Sequence, residues 1–262
     1  MFLTLLNWTS RKKGERKTMS IVNPWLVGSL GLLVLWLLIF FLKPKARKEM
    51  LWVSVFTMLL GLTEPLFVPQ YWNPPSLFDL AQNTGFDLES FIFSFAIGGI
   101  SAILYELLVK VKHEKIRRHE KHKKMHRYHL LALFSPLLVF LPLQLFTSLN
   151  PIYSASIAMF AGGIAAILCR PNLSRKIVVG GFSFLSLYFV FFIVFGLAYP
   201  RFVQDVWNLT AISGILIWGV PLEELLFAFT VGMLWSSIYE HTRWYRLVKI
   251  KTGQKNKNLK KT

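Results

Sequence analysis

The stretch TGFDLESFIFSFAIGGISAILYE (84–106) returns as WGVPLEELLFAFTVGMLWSSIYE (218–240), at a constant offset of 134 residues. Each copy places acidic residues ahead of an apolar run of roughly the ~20 residues a bilayer crossing requires, and each closes on Tyr-Glu. Working outward, LFVPQYWN (66–73) parallels RFVQDVWN (201–208) at an offset of 135, and LKPKARKEM (42–50) parallels CRPNLSRKI (169–177) at 127. Three matched blocks in one order describe a duplicated three-helix unit. They pair helices one, two and three with five, six and seven, and leave the fourth, 129–148, as a connector. One helix between the copies makes both enter the membrane from the same side, a parallel repeat about an axis near the membrane normal.

The rest of the chain fits that frame. It has 262 residues, is 54% hydrophobic and has a mean hydropathy of +0.47, too apolar for a soluble domain of this length. Nearly uncharged runs at 22–42, 50–68, 88–109, 129–148, 151–168, 177–199 and 211–239 predict about seven spanning helices. The expected fold is therefore an all-α integral membrane protein, with two parallel three-helix repeats joined by a connector helix. Its expected divisions are an N-terminal extension (1–19), a first repeat (20–127), the connector (128–148), a second repeat (149–241) and a basic tail (242–262). Cys169 is the lone cysteine, which excludes an intrachain disulfide and every multi-cysteine metal site and leaves it as a small packing residue.

The net charge of +17 points to the membrane surface rather than to nucleic acid, because the basic residues cluster at 43–48, 110–127, 170–176 and after Arg243. Seven spans put all four clusters on one side, facing anionic lipid headgroups, while the opposite loops carry only Arg201. The positive-inside rule then places the C-terminus in the cytoplasm and the N-terminus outside. Arg11, Lys12, Lys13, Arg16 and Lys17 break that rule, and Met19 is an alternative start.

Ionisable groups inside spans mark functional sites by default. Here they are Glu64, Asp87, Glu89, Glu106, Glu223, Glu224 and Glu240. Glu89 and Glu223 occupy equivalent repeat positions, each followed one helical turn later by a ring, Phe93 or Phe227. Asp87 is placed to cap the third helix and Pro221 to open the last one. If Glu223 and Glu224 face one cavity, their repulsion raises the affinity of one of them for a proton and so supplies a general acid. The bland alternative is that these carboxylates cap helix starts and snorkel. Tyr105-Glu106 and Tyr239-Glu240 read as interfacial anchors with ion pairing. The segment 112–129 spaces His119, His122, His126 and His129 helically, but nine Lys and Arg residues in 110–127 repel a divalent ion. It reads as a solvated helix extension, and no metal site is expected. The outer loop 67–86 holds Trp72, matched by Trp207, and serves either as interfacial anchor or as the rim of an entry path.

Pro221-Leu222-Glu223-Glu224-Leu225-Leu226-Phe227 resembles the Pro-x-Glu-Glu/Asp-x-x-Phe signature of the heterodimeric-type, non-flavin lycopene cyclase domain family. The whole of 22–240 looks like a fused two-repeat member. The resemblance implies a carotenoid or related isoprenoid as substrate, with linear ψ-ends closed to β-type rings by proton addition and removal. Such a reaction is redox-neutral and needs neither flavin nor nicotinamide, in keeping with the lack of a Gly-rich nucleotide loop. It implies Glu223 or Glu224 as acid or base with Glu89 as counterpart, and the rings of Phe227, Phe93 and Phe229 as cation stabilisers. The first copy, Asp87-Leu88-Glu89-Ser90-Phe91-Ile92-Phe93, departs from the signature by lacking the proline and the second carboxylate.

Three rivals stand beside this reading. A prenyl-type intramembrane protease needs an arginine where Ala228 stands, and an opsin needs a lysine that 212–240 lacks. A non-enzymatic binding protein or transporter for a carotenoid or another isoprenoid lipid remains the serious competitor.

Overall fold

The computed structural model describes residues 23–117, 120 and 126–249. The N-terminal extension with its basic run, His119, His122 and the tail beyond 249 lie outside the described residues.

Helix α1, Pro24–Leu42, starts on Asn23, whose side chain accepts the Leu26 N–H at 2.7 Å, with a proline in the first turn. Helix α2, Arg47–Met58, continues through a 3₁₀ stretch Leu59–Thr63 into a last turn Glu64–Phe67. Helix α3, Leu88–Leu108, is capped by Asp87, which accepts the Ser90 N–H at 2.5 Å. The connector α4, His129–Phe146, precedes α5, Pro151–Cys169, capped by Asn150, and α6, Ser174–Ala198. Among the described residues six helical stretches are long and apolar enough to cross a membrane: α1, 44–67, α3, α4, α5 and 171–198. The protein is a multi-pass, all-α membrane protein.

The predicted seventh run, 211–239, is not one helix. Gly214, Trp218 and Gly219 have positive φ, and the two-residue strands β2 (Leu216–Ile217) and β3 (Val220–Pro221) pair antiparallel. Helix α7 therefore begins only at Leu222 and ends at Trp235. Its 14 residues reach about 21 Å, short of the ~30 Å hydrocarbon core. Helix α8, Ile238–Arg243, follows.

The solvated helix extension expected across 112–129 is also corrected at its start. Strand β1, Val111–Lys115, pairs antiparallel with β4, Tyr245–Lys249, so the beginning of the expected tail is part of the fold. This pairing joins residues more than a hundred apart and leaves no local periodicity to read.

Packing repeats with the sequence. Helix α3 lies against α1 and α2 as α7 lies against α5 and α6, while α3 also touches α6 and α7 across the two halves. Close approach is obligatory at the equivalent positions Gly98 and Gly232. A Cβ on Gly98 would overlap Thr57, and one on Gly232 would stand 2.6 Å from the Gly180 carbonyl oxygen. The connector packs on α5 and turns Leu130, Leu131, Leu138 and Leu145 outward. At the opposite end the matched blocks meet: Trp72 and Trp207 form an antiparallel bridge. Asn73 N–H donates to the Val206 carbonyl and Asn208 N–H to the Tyr71 carbonyl, each at 2.9 Å.

Candidate functional site

Under that bridge lies a cavity of about 400 Å³ between the halves. Its wall is almost wholly apolar and aromatic, from Trp25, Trp72 and Phe93 of the first half, Tyr188, Phe192 and Phe227 of the second, and Phe134 and Phe140 of the connector. Among the lining residues only two carry carboxyls, Glu64 and Glu224.

Glu224 stands in the first turn of α7, which begins directly after Pro221, and faces the cavity. Its Oε1 accepts the Tyr71 hydroxyl at 2.5 Å and the Trp207 indole N–H at 3.2 Å, and its Oε2 accepts the Tyr188 hydroxyl at 2.8 Å. All three donors are buried, and they come from both halves, so the carboxylate is fully partnered without water. Glu64 ends the second span of the first half, next to Pro65. It is 6% exposed, and its Oε1 has no hydrogen-bond partner. Ser90, the repeat equivalent of Glu224, also lines the cavity and lies beside the Glu64 carboxyl. Each half thus brings one acid to the chamber, from non-equivalent positions.

Glu89 and Glu223 sit elsewhere, in matching pockets of their own. Glu89 accepts Asn23 Nδ2 at 2.9 Å and the Leu77 N–H at 2.8 Å. Glu223 accepts the Tyr153 hydroxyl at 2.5 Å and the Ser213 N–H at 2.9 Å. Each therefore ties its helix start to the preceding loop and to the first helix of its own repeat. Of the residues singled out from sequence, Glu224, Phe227, Phe93, Trp72 and Trp207 line the cavity. Glu223, Glu89, Asp87, Pro221 and Phe229 do not, Phe229 packing instead on Phe182 at 5.0 Å. Glu64 belonged to the ionisable short list but had no repeat partner to raise it further. The signal for Tyr71 was its place beside the matched Trp72.

At the basic end of the bundle, Glu106 and Glu240 do not snorkel. Both bond to the buried Lys176 ammonium, at 3.1 and 2.5 Å, together with Glu49 at 2.9 Å. His113 from β1 closes the group on Glu240 at 2.8 Å. Burial alone would raise the Glu240 carboxyl, but Lys176 and His113 outweigh it and hold it below the usual range.

A family model described as lycopene cyclase matches residues 23–108 and 150–242, one segment on either side of the connector. No curated protein and no solved structure matches the chain.

Proposed function

Because the chain belongs to the lycopene cyclase family, we propose that it closes the linear ψ-ends of a carotenoid to β-type rings by redox-neutral acid–base chemistry inside the membrane. The observation that carries this reading is a pair of carboxyls, one from each half, facing a water-poor aromatic chamber. Glu64, with an unpartnered oxygen in an apolar wall, is suited to hold and donate a proton. Glu224, accepting three donors, is suited to remain an anion and remove one. Protonation of the terminal alkene gives a tertiary cation, an internal alkene attacks it to close the ring, and loss of a ring proton restores neutrality. A turnover leaves Glu64 ionised and Glu224 protonated, and one proton passed back between them resets the pair. Trp25, Trp72, Phe93 and Phe227 line the same cavity and supply the aromatic rings that would stabilise the cation. A volume near 400 Å³ lies low in the ~300–1,000 Å³ range of ligand sites, which suits one end of a long polyene rather than the whole molecule.

Of the three acids the resemblance points to, this assignment keeps Glu224 in the chemistry and makes Glu223 and Glu89 supports that fix the helix starts. Orientation belongs to the same proposal: the basic end faces the cytoplasm and its anionic lipid headgroups. So does the division into copies 20–127 and 149–241 about the connector 128–148.

Expression in lycopene-accumulating cells tests the chemistry. The wild type is expected to yield ring-bearing carotenoid, and Glu224→Gln and Glu64→Gln are each expected to lower the yield about 10²–10⁴-fold at equal membrane abundance. Undiminished product from both variants removes them from the mechanism. A coloured carotenoid that co-purifies unchanged, with no cyclised product from the wild type, favours binding or transport.

A further inference from the structure

At the basic end a second group of side chains converges that the cyclase chemistry does not use. Cys169 is the last residue of α5, His129 the first of α4, and His241 lies in α8; one ligand atom of each falls within 4.8 Å of the others, and all three are buried. The Cys169 sulfur stands 3.7 Å from Nδ1 of His129 and 3.8 Å from Nδ1 of His126. The His129 and His241 rings are 4.5 Å apart. His241 is 1% exposed, and its Nε2 has no hydrogen-bond partner, an orphan donor set against a sulfur and imidazoles.

We propose that Cys169, His129 and His241, with His126 as fourth donor, form a site for one zinc-class divalent cation that clamps the connector and the C-terminal segment onto the second repeat. One thiolate and three imidazoles are the donor types that tetrahedral Zn²⁺ takes. With Zn–S of ~2.3 Å and Zn–N of ~2.0 Å, tetrahedral geometry asks for S···N distances of roughly 3.5 Å. The two Cys169–His separations already stand within a few tenths of an ångström of that.

Two objections are met by the arrangement. The positive charge that argued against the His-rich segment is counted along the sequence, whereas His129 is buried beside Cys169 and His126 is half-buried against the same sulfur. Arg170, adjacent to Cys169 in the chain, donates to the Asn172 side chain and to the Glu240 and Tyr245 carbonyls at 3.2, 3.4 and 2.6 Å. The other acidic and histidine cluster, Glu49, Glu106, His113 and Glu240, already holds the Lys176 ammonium against its three carboxylates. His126 and His129 also lie in the segment 109–149, between the two parts of the family match, which makes the site a feature of this chain.

The test uses the full-length, untagged protein purified in detergent, stripped of metal and titrated with Co²⁺. One Co²⁺ per chain is expected, with the thiolate-to-cobalt charge-transfer band and the intense visible bands of a tetrahedral site. Zn²⁺ should displace it. His241→Ala is expected to weaken binding at least ~10–100-fold, the scale already set by losing an outer-shell partner. Cys169→Ser should abolish the charge-transfer band. Where that variant fails to fold, Cys169→Asp keeps an anionic donor and is expected to bind Co²⁺ without the thiolate band. A wild-type chain that takes up no stoichiometric Co²⁺, or a Cys169 variant that binds it as tightly with an unchanged spectrum, overturns the proposal.

Discussion

Glu224 and Glu89 are buried carboxylates on equivalent helices, yet their hydrogen bonds make opposite demands on a substitution. Glu89 receives both donors on Oε1 and leaves Oε2 without a partner, so a glutamine with its carbonyl oxygen at that place keeps both bonds. Glu224 receives donors on both oxygens, so an amide group must face one of them with its own N–H. Glu89→Gln is therefore expected to leave cyclised product within about threefold of wild type, where Glu224→Gln loses nearly all of it. Tyr71→Phe and Tyr188→Phe each delete one donor and leave the ionised oxygen short of a bond. Each should lower product formation about tenfold, the equivalent of ~1.4 kcal/mol on the barrier, read as product per unit of membrane protein. The acids themselves were legible in the sequence, because charge inside an apolar run is conspicuous. Their division between cavity and support was not, since Glu223 and Glu224 differ by a single step around one helix. Only the positions of Tyr71, Tyr188 and Tyr153 show which of the pair faces inward.

Among the elements, α7 meets α6 backbone to backbone at Gly232, where an added Cβ would stand 2.6 Å from the Gly180 carbonyl oxygen and 2.9 Å from the Gly181 Cα. Gly232→Ala drives a methyl group toward the Gly180 carbonyl and the Phe184 side chain, neither of which has room to yield. A loss of about 1–3 kcal/mol is expected, the scale of an overpacked core. Gly31 in α1 supplies the control: it is exposed and has nothing within 4 Å of an added Cβ, so Gly31→Ala should be neutral or slightly stabilising through helix propensity. Thermal unfolding of both variants in one detergent checks the contrast. A Gly232→Ala protein as stable as Gly31→Ala would show that the two helices are free to separate. The same elements mark how far sequence reading reached. Duplicated blocks gave the three-helix unit and its partners, because helix periods and caps are local signals. The late start of α7 turned on the positive φ of Trp218 and Gly219 behind an apolar composition. The β1–β4 pairing turned on partners far apart in the chain.

Across the whole molecule, the two halves are joined at the basic end by a cluster that obeys the repeat and breaks it. Glu106 and Glu240 are equivalent at the offset of 134, and Glu49 and Lys176 are equivalent at 127, so two repeat-related pairs meet at one point near the pseudo-axis. Four carboxylates there would repel one another. A lysine in one copy converts the meeting point into an ion cluster that only unlike halves can form. Lys176→Glu restores the like-charge arrangement in a buried setting and is expected to cost about 3–5 kcal/mol or to prevent assembly. Glu49→Lys alone leaves two ammonium groups facing two carboxylates and should cost less. The exchange Glu49→Lys with Lys176→Glu moves the ammonium to the other side of the pseudo-axis while keeping the charge of the cluster. If the halves are equivalent in structure, the double variant should recover about half or more of the loss seen in Lys176→Glu, a coupling between contacting residues that additivity does not give. Unfolding midpoints of the three variants in one detergent supply the cycle. A double variant no more stable than Lys176→Glu would mean that His113, which reaches from β1 to within 3.5, 3.4 and 2.8 Å of Glu49, Glu106 and Glu240, has fixed the cluster's handedness and made the two sides unequal.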